Sequence, residues 1–171
     1  MTEKIGLRTK VKSEWTDYNG HMNVAYYPLV FDGATDALLD ALDLGESYAK
    51  RSGHGTFAAE AHIIFKSEAR DGDELTVESQ VIASSDKAIH YFHQMYRGEE
   101  RELLASYEQL SLHVSHATRK VVAMPEHAQE RLRLLAGQAA DMPDGLGSVI
   151  AVRRKQPPPV SGSRQNDMRD S

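Results

Sequence analysis

The chain has 171 residues and contains no cysteine. Disulfides, cysteine-ligated zinc, iron–sulfur clusters and thiol nucleophiles are therefore excluded. A basic excess is also missing, because 20 Lys and Arg stand against 25 Asp and Glu, and this disfavours a nucleic-acid partner. No apolar run approaches the roughly 18 residues of a membrane span, and the first residues lack the apolar stretch of a secretory signal. We therefore expect a cytoplasmic protein with no nucleic-acid or membrane partner.

Motifs for cofactors and for serine nucleophiles are missing as well. The sequence has no G-x-S-x-G element, no glycine-rich phosphate loop and no G-x-G-x-x-G fingerprint. Two histidine pairs have a three-residue spacing, His90 with His93 and His113 with His116. On a strand such a pair points to opposite faces, so it makes a poor metal clamp. We expect no metal and no cofactor, and we place these histidines in solvent or at the edge of the core.

The composition is that of one folded domain, with 40% hydrophobic and 26% charged residues. After Gly137 the chain is rich in Pro, Gly, Ser and charge, with three consecutive prolines at 157–159. Such a segment has too little apolar surface to order itself. We therefore predict a domain over residues 1–136 and a flexible tail over residues 137–171.

Periodicity predicts one strand, then a long helix, then four strands. Alternation indicates a first strand over residues 5–15, and apolar residues three and four apart indicate a helix over residues 27–42. A polar link is expected at 46–55, a long strand at 57–69, and hairpin-connected strands from there to residue 115. A second, shorter helix is predicted at 126–135. This order indicates an α+β fold in which an antiparallel sheet wraps around one central helix.

Between the first strand and the helix, Asp17, Asn19 and His21 follow one another at every second residue. A helix N-terminus offers free N–H groups and a positive dipole end, which polarise a carbonyl oxygen. An acid–base group beside such donors suits acyl transfer. The same residues also suit a plain turn, in which Asp and Asn cap the helix and Gly20 supplies a positive φ.

A second pair of carboxylates lies in the long predicted strand. Glu60 and Glu68 are eight residues apart and share one face of the strand if no bulge intervenes. Glu60 has small apolar neighbours, so it is either buried with a partner or exposed at an edge. Glu68 also shares a side with Arg70, which is compatible with a simple surface ion pair.

These segments resemble the hotdog-fold acyl-CoA thioesterases of the 4-hydroxybenzoyl-CoA thioesterase type over about residues 5–125. The residues that carry the resemblance lie in the turn, at the helix start and around the second carboxylate: Trp15, Asp17, Asn19, His21, Asn23, Tyr26, Tyr27, Phe31, Phe65, Glu68, Gly72, Asp73 and Leu75. The resemblance implies a thioester hydrolase that acts on acyl-CoA and works as a homodimer or a dimer of dimers, with active sites between subunits.

The resemblance also implies roles for single residues. Asp17 is implied to be the nucleophile or the acid–base group, and Asn19 and His21 match the same loop in plant acyl-carrier-protein thioesterases. The second carboxylate aligns with Glu68, or with Glu60 if gaps shift it, and would come from the facing subunit. We further expect an oxyanion site at the backbone of residues 23–26. Expected substrate-binding residues are Trp15, Tyr18, Asn23, Tyr26 and Tyr27.

Further segments are similar to the thioesterase portion that accompanies L-carnitine dehydrogenase and acts on betainyl-CoA. They are residues 31–39, 87–95 and 103–110. Aromatic side chains near the carbonyl suit a trimethylammonium group through cation–π attraction, although they equally suit ordinary packing. Two other functions stay open, a hotdog module that binds acyl-CoA without turnover and a hotdog dehydratase of hydroxyacyl thioesters.

Overall fold

The computed structural model of the chain describes residues 5–137 and 149–152. The elements in chain order are β1 (Gly6–Lys10), α1 (Tyr26–Ala41), α2 (Glu46–Ser52), β2 (His54–Phe65), β3 (Glu74–Ser84), β4 (Ala88–Arg97), β5 (Glu102–Ser115) and α3 (Glu126–Ala136). The strands form one antiparallel sheet in the order β1-β3-β4-β5-β2, and α1 packs against it. The predicted α+β fold with one long helix against an antiparallel sheet is confirmed.

Helix α1 forms where the apolar period predicted it. Its buried stripe includes Val30, Phe31, Ala34 and Leu38. Pro28 lies in the first turn, where its missing N–H is harmless. Gly33 faces β1, and a Cβ at this position would lie 3.1 Å from the Leu7 side chain. Glycine therefore allows the helix to approach the edge strand closely.

The first strand is shorter than the predicted span of residues 5–15. It ends at Lys10, and Ser13–Trp15 form a 3-10 turn. The Thr16 hydroxyl donates to the Ser13 carbonyl at 2.7 Å, and the Ser13 hydroxyl donates to Asp71 at 2.9 Å. Hydroxyl side chains that bond locally compete with a strand ladder, and the alternation of apolar residues does not reveal this.

The predicted polar link at 46–55 is wrong, because it contains helix α2. The helix has one buried residue, Tyr48, so it shows no apolar period. An ion pair of 2.6 Å between Lys50 and Glu46 stabilises it, and Gly53 ends it with a φ of 69°. Among the described residues, no helix is long and apolar enough to cross a membrane.

Strand β2 does not form a hairpin with β3, as the predicted meander required. It pairs with β5 at the far edge of the sheet, and β3 pairs with β1 and β4. The chain between β2 and β3, residues 66–73, therefore crosses the end of the sheet, and we call it the crossover segment. Its first two N–H groups, at Lys66 and Ser67, donate to the Leu104 carbonyl on β5. This crossing brings the end of β2 to the loop that precedes α1.

The histidines expected in solvent or at the core edge are mostly inside the protein. His90, His93 and His113 are buried, whereas His116 is exposed. His93 lies between two hydroxyls, with Thr35 Oγ1 2.9 Å from Nε2 and Ser79 Oγ 2.8 Å from Nδ1. Because the Thr35 hydroxyl donates to the Phe31 carbonyl, the neutral His93 ring donates from Nε2 and accepts at Nδ1.

A buried pair of Glu108 and His90 binds part of the C-terminal segment to the sheet. Glu108 and His90 are 1% and 3% exposed, and Oε1 of Glu108 lies 2.8 Å from Nε2 of His90. The same carboxylate accepts from the N–H of Ile150 at 3.0 Å and of Val149 at 3.4 Å. Ile150 is itself buried. Residues 149–152 thus pack on the domain, while most of the predicted tail lies outside the described residues and the boundary at 136 stays a prediction.

Acid should destabilise the fold through His93. Burial lowers the pKa of His93 to about 3 from 6.5, so the folded state prefers the neutral ring. This contribution is complete above pH 6.5 and is lost as the pH falls towards 3, at about 1.4 kcal/mol per pH unit. We expect His93→Gln to flatten the decline of the free energy of unfolding in denaturant titrations between pH 6.5 and 4. The exposed His127, changed to Gln, is the control, and equal slopes for wild type and His93→Gln would contradict the assignment.

Truncation tests the attachment of residues 149–152. A chain that ends at residue 137 loses two N–H donors to Glu108 and the burial of Ile150, which together should lower the free energy of unfolding by about 2–4 kcal/mol. A chain that ends at residue 152 keeps both and is the matched control. Urea unfolding of the two truncated chains makes the comparison, and equal midpoints would show that the contact adds no stability.

Candidate active site

The residues from Trp15 to Asn23, which we call the 15–23 loop, form a small closed turn. The N–H of Asp17 donates to the carbonyl of His21 at 2.9 Å, and Asn23 donates to Trp15 at 2.8 Å. Gly20 has a φ of 77°, a left-handed conformation that favours glycine. The backbone thus returns upon itself and holds positions 17, 19 and 21 on one short turn.

Asp17 stabilises this turn with one oxygen of its carboxylate. Oδ1 accepts from the N–H of Asn19 at 2.8 Å and of His21 at 3.4 Å. The backbone N–H of Asn19 thus contacts Asp17, whereas the side chain of Asn19 is exposed. Within the described residues no group hydrogen-bonds Oδ2. The turn interpretation of this loop is therefore confirmed for one carboxylate oxygen, and the other oxygen stays available to a ligand.

The crossover segment brings a second carboxylate to the loop. Oε2 of Glu68 lies 3.1 Å from Nε2 of His21. The backbone supports this contact, because His21 forms a β-bridge with Arg70, and the N–H of Met22 donates to the Ala69 carbonyl at 2.7 Å. Within the chain, Glu68 therefore contacts the loop that contains Asp17 and His21.

Glu60 and Glu68 do not share one face of a continuous strand, so that prediction is wrong. The pairing of β2 with β5 is continuous from Glu60 to Phe65, where the strand ends. Glu68 lies beyond the strand, in the crossover segment. Glu60 stays on β2, at the edge of the sheet, and is exposed.

Four aromatic residues, Trp15, Tyr18, Tyr26 and Tyr27, were expected to cluster around the site. Only two of these four rings, those of Trp15 and Tyr26, stack on each other in the structure. Trp15 and Tyr26 stack with a centroid distance of 5.6 Å and an interplanar angle of 16°. Lys12 was not anticipated, and its Nζ lies 5.1 Å from the centre of the Trp15 ring. Its three-residue spacing from Trp15 becomes informative only once the 3-10 turn is known. Tyr18, by contrast, points outward and is 97% exposed.

Tyr27 has an internal role. It is buried, and its hydroxyl accepts from the N–H of Ala69 at 3.0 Å. Its ring meets Phe65 edge-on at 5.2 Å. Burial raises the pKa of Tyr27, so the phenol stays neutral at physiological pH. Tyr27 thus connects α1 to the crossover segment.

Most N–H groups at residues 23–26, where an oxyanion site was expected, already have acceptors. The N–H groups of Asn23 and Tyr26 donate to the carbonyls of Trp15 and Asn23, and the N–H of Ala25 donates to the Asn23 side chain at 3.0 Å. The Asn23 side chain therefore forms a turn with Ala25 just before α1. In this stretch of the described chain, the N–H of Val24 is the one without an acceptor.

Residues 5–137 and 149–152 contain no group of three or more His, Asp or Glu placed to hold a metal ion. The candidate site contains two carboxylates, an imidazole and a free N–H before a long helix. These groups suit acyl transfer, as the resemblance to hotdog thioesterases implies.

Comparison with known proteins identifies the family. A profile of the Thioesterase-like superfamily matches residues 11–132, which include the loop, the crossover segment and all the strands after β1. The chain belongs to this superfamily and is a thioester hydrolase.

Individual relatives agree with this membership. A betainyl-CoA thioesterase from Pseudomonas aeruginosa is 36% identical over 154 residues, which are 89% of this chain and 94% of that protein. An L-carnitine dehydrogenase/betainyl-CoA thioesterase from a Rhizobium species is 34% identical over 86% of this chain and 30% of its own length. A Staphylococcus aureus protein solved in complex with CoA has a TM-score of 0.79 at 24% identity and covers 88% of this chain and 96% of its own. That last likeness shows the shared fold.

Proposed function

We propose that the chain hydrolyses acyl-CoA thioesters to a carboxylic acid and free CoA, with Asp17 as the reacting carboxylate. The observation that carries this proposal is that the two carboxylate oxygens of Asp17 have different contacts. Oδ1 holds the loop through two N–H groups, and Oδ2 has no partner in the described chain. An anchored carboxylate with one free oxygen meets a substrate in a fixed orientation.

The remaining groups fit the same reaction. The free N–H of Val24, just before the N-terminus of α1, is available to a carbonyl oxygen that gains negative charge. Whether Asp17 attacks the carbonyl or activates water, the water hydroxyl ends on the acyl carbon and the C–S bond breaks. The remaining proton leaves with the CoA sulfur. His21, held by Glu68, is the group that orients the substrate or the water.

For the acyl group we propose betainyl. The names of the two relatives above, which include betainyl-CoA, support this choice, and so does the stacked pair of Trp15 and Tyr26. The face of Trp15 already accepts a cation in this structure, the ammonium group of Lys12. A trimethylammonium group on the acyl chain that displaces the Lys12 ammonium group from this face gains the same attraction. The reaction would then release betaine, and it would belong to carnitine breakdown.

We also propose that the chain acts as a homodimer through the open edge of β2. Residues 57–61 of this edge strand are exposed, and the run combines Phe57, three alanines and Glu60. An unpaired strand edge with apolar side chains tends to pair with another strand. Pairing with a second copy of the chain forms a closed dimer. Glu60 then becomes the residue that one subunit offers to the site of the other.

Replacement of Asp17 tests the mechanism. In Asp17→Asn the amide oxygen still accepts the two N–H bonds, so the loop persists, but the charge and the nucleophile are lost. We expect kcat to fall about 10²- to 10⁴-fold, measured by release of free thiol from an acyl-CoA panel. Asp17→Ala should lose activity equally and should also lose about 1 kcal/mol of stability with the turn contacts.

The control is Asp86→Asn, an exposed carboxylate in the turn between β3 and β4. It should keep wild-type turnover. Wild-type turnover in Asp17→Asn would contradict the proposal. Products distinguish the dehydratase alternative, because an enoyl thioester without free CoA would replace hydrolysis.

A neutral isostere tests the betainyl proposal. In 3,3-dimethylbutyryl-CoA a carbon atom replaces the quaternary nitrogen, so shape is kept and charge is removed. We expect Trp15→Leu to lower kcat/KM for betainyl-CoA about 3- to 30-fold more than for the isostere. The comparison of the two proteins cancels the intrinsic reactivity of each thioester. Equal effects on both substrates, or a wild-type preference for benzoyl-CoA or medium-chain acyl-CoA, would contradict it.

A further inference from the structure

The peptide group between Glu68 and Ala69 is hydrogen-bonded at both of its ends. Its carbonyl, on Glu68, accepts from Nη1 of Arg97 at 3.0 Å. Its N–H, on Ala69, donates to the hydroxyl of Tyr27 at 3.0 Å. Since a peptide group is planar, two such contacts from different elements determine its orientation. The orientation in turn sets the direction in which the Glu68 side chain leaves the backbone.

The next peptide group, between Ala69 and Arg70, is held in the same way. Its carbonyl accepts from the N–H of Met22 at 2.7 Å, and its N–H donates to Oδ2 of Asp73 at 2.8 Å. That same Asp73 oxygen lies 3.2 Å from Nη1 of Arg97. Arg97 therefore contacts one peptide group directly and the other through Asp73.

The guanidinium group is itself fixed by a third contact. Nη2 of Arg97 donates to the carboxylate of Glu102, which also accepts from the Ser67 hydroxyl at 2.6 Å. Three acceptors around one planar fork match the geometry of arginine and cannot all be met by a lysine ammonium. The side chain is 30% exposed, so the arrangement does not serve to fill the core.

We propose that Arg97 is a positioning residue for the hydrolytic site. Located at the end of β4, it orients the crossover segment so that the Glu68 carboxylate meets His21. This inference rests on the proposed function, because Glu68 and His21 have their roles from it. Arg97 does not touch the substrate, and its influence passes through Glu68.

A double-mutant cycle with Glu68 tests the inference. Displacement of a catalytic group by a fraction of an ångström to 1 Å reduces turnover, so we expect Arg97→Met to lower kcat roughly 10- to 100-fold with little change in KM. Arg97→Lys, with one contact restored, should lie between Arg97→Met and wild type. In a Glu68→Gln background, Arg97→Met should lower kcat less than twofold further, since the residue through which it acts is already removed.

Arg101→Met is the matched control. Arg101 is exposed, belongs to the same hairpin, pairs with Glu78 at 2.8 Å and lies over the Tyr96 ring, but it contacts no residue of the crossover segment. It should keep wild-type kcat. Thermal unfolding of all variants checks that each one folds.

A second readout is independent of turnover. Amide hydrogen exchange at Ala69 and Arg70 should accelerate in Arg97→Met and stay unchanged in Arg101→Met. Multiplicative losses of kcat in the double variant, unchanged exchange, or equal effects of Arg97→Met and Arg101→Met would overturn the inference. A wild-type chain that releases no CoA while exchange responds as expected would instead overturn the proposed function, so the two failures are distinguishable.

Discussion

The backbone around Ala69 is the constraint on which the site depends. The peptide groups on its two sides bind the 15–23 loop, helix α1 and, through Arg97, strand β4. Buried or partly buried peptide groups require partners, so the chain cannot move one of these elements without breaking bonds to the others. The relative placement of Asp17 and Glu68 follows from this junction, since neither side chain contacts the other.

The core contrasts with the site in the way it treats polar groups. His93 lies among apolar residues with both ring nitrogens satisfied, and Glu108 is buried with His90 and two backbone N–H groups. In the described residues no buried side-chain nitrogen or oxygen is left without a partner. Oδ2 of Asp17 in the 15–23 loop and the N–H of the exposed residue Val24, which follows the loop, have no hydrogen-bond partner in the described residues. Both are therefore open to water or to a ligand.

Much of the fold and part of the site could be predicted from local pattern. The apolar stripe identified α1, and the turn residues identified the loop that contains Asp17 and His21. Prediction from the local sequence pattern failed where non-local contacts determine the structure. Glu60 and Glu68 seemed to share a strand face, but β2 ends at Phe65, between the two residues. Helix α2 was missed because its single buried residue, Tyr48, gives no period.

The candidate reactive groups of this protein follow from its local sequence. The sequence excluded thiols, and it placed a carboxylate, an amide and an imidazole on a glycine-containing turn before a helix, because these are local choices of residue and turn. Which carboxylate lies beside them depends on strand pairing. The pairing of β2 with β5 sends the crossover segment past the loop and so selects Glu68, while Glu60 stays on an open edge. Strand pairing is set by the burial of a whole sheet, which no local pattern encodes.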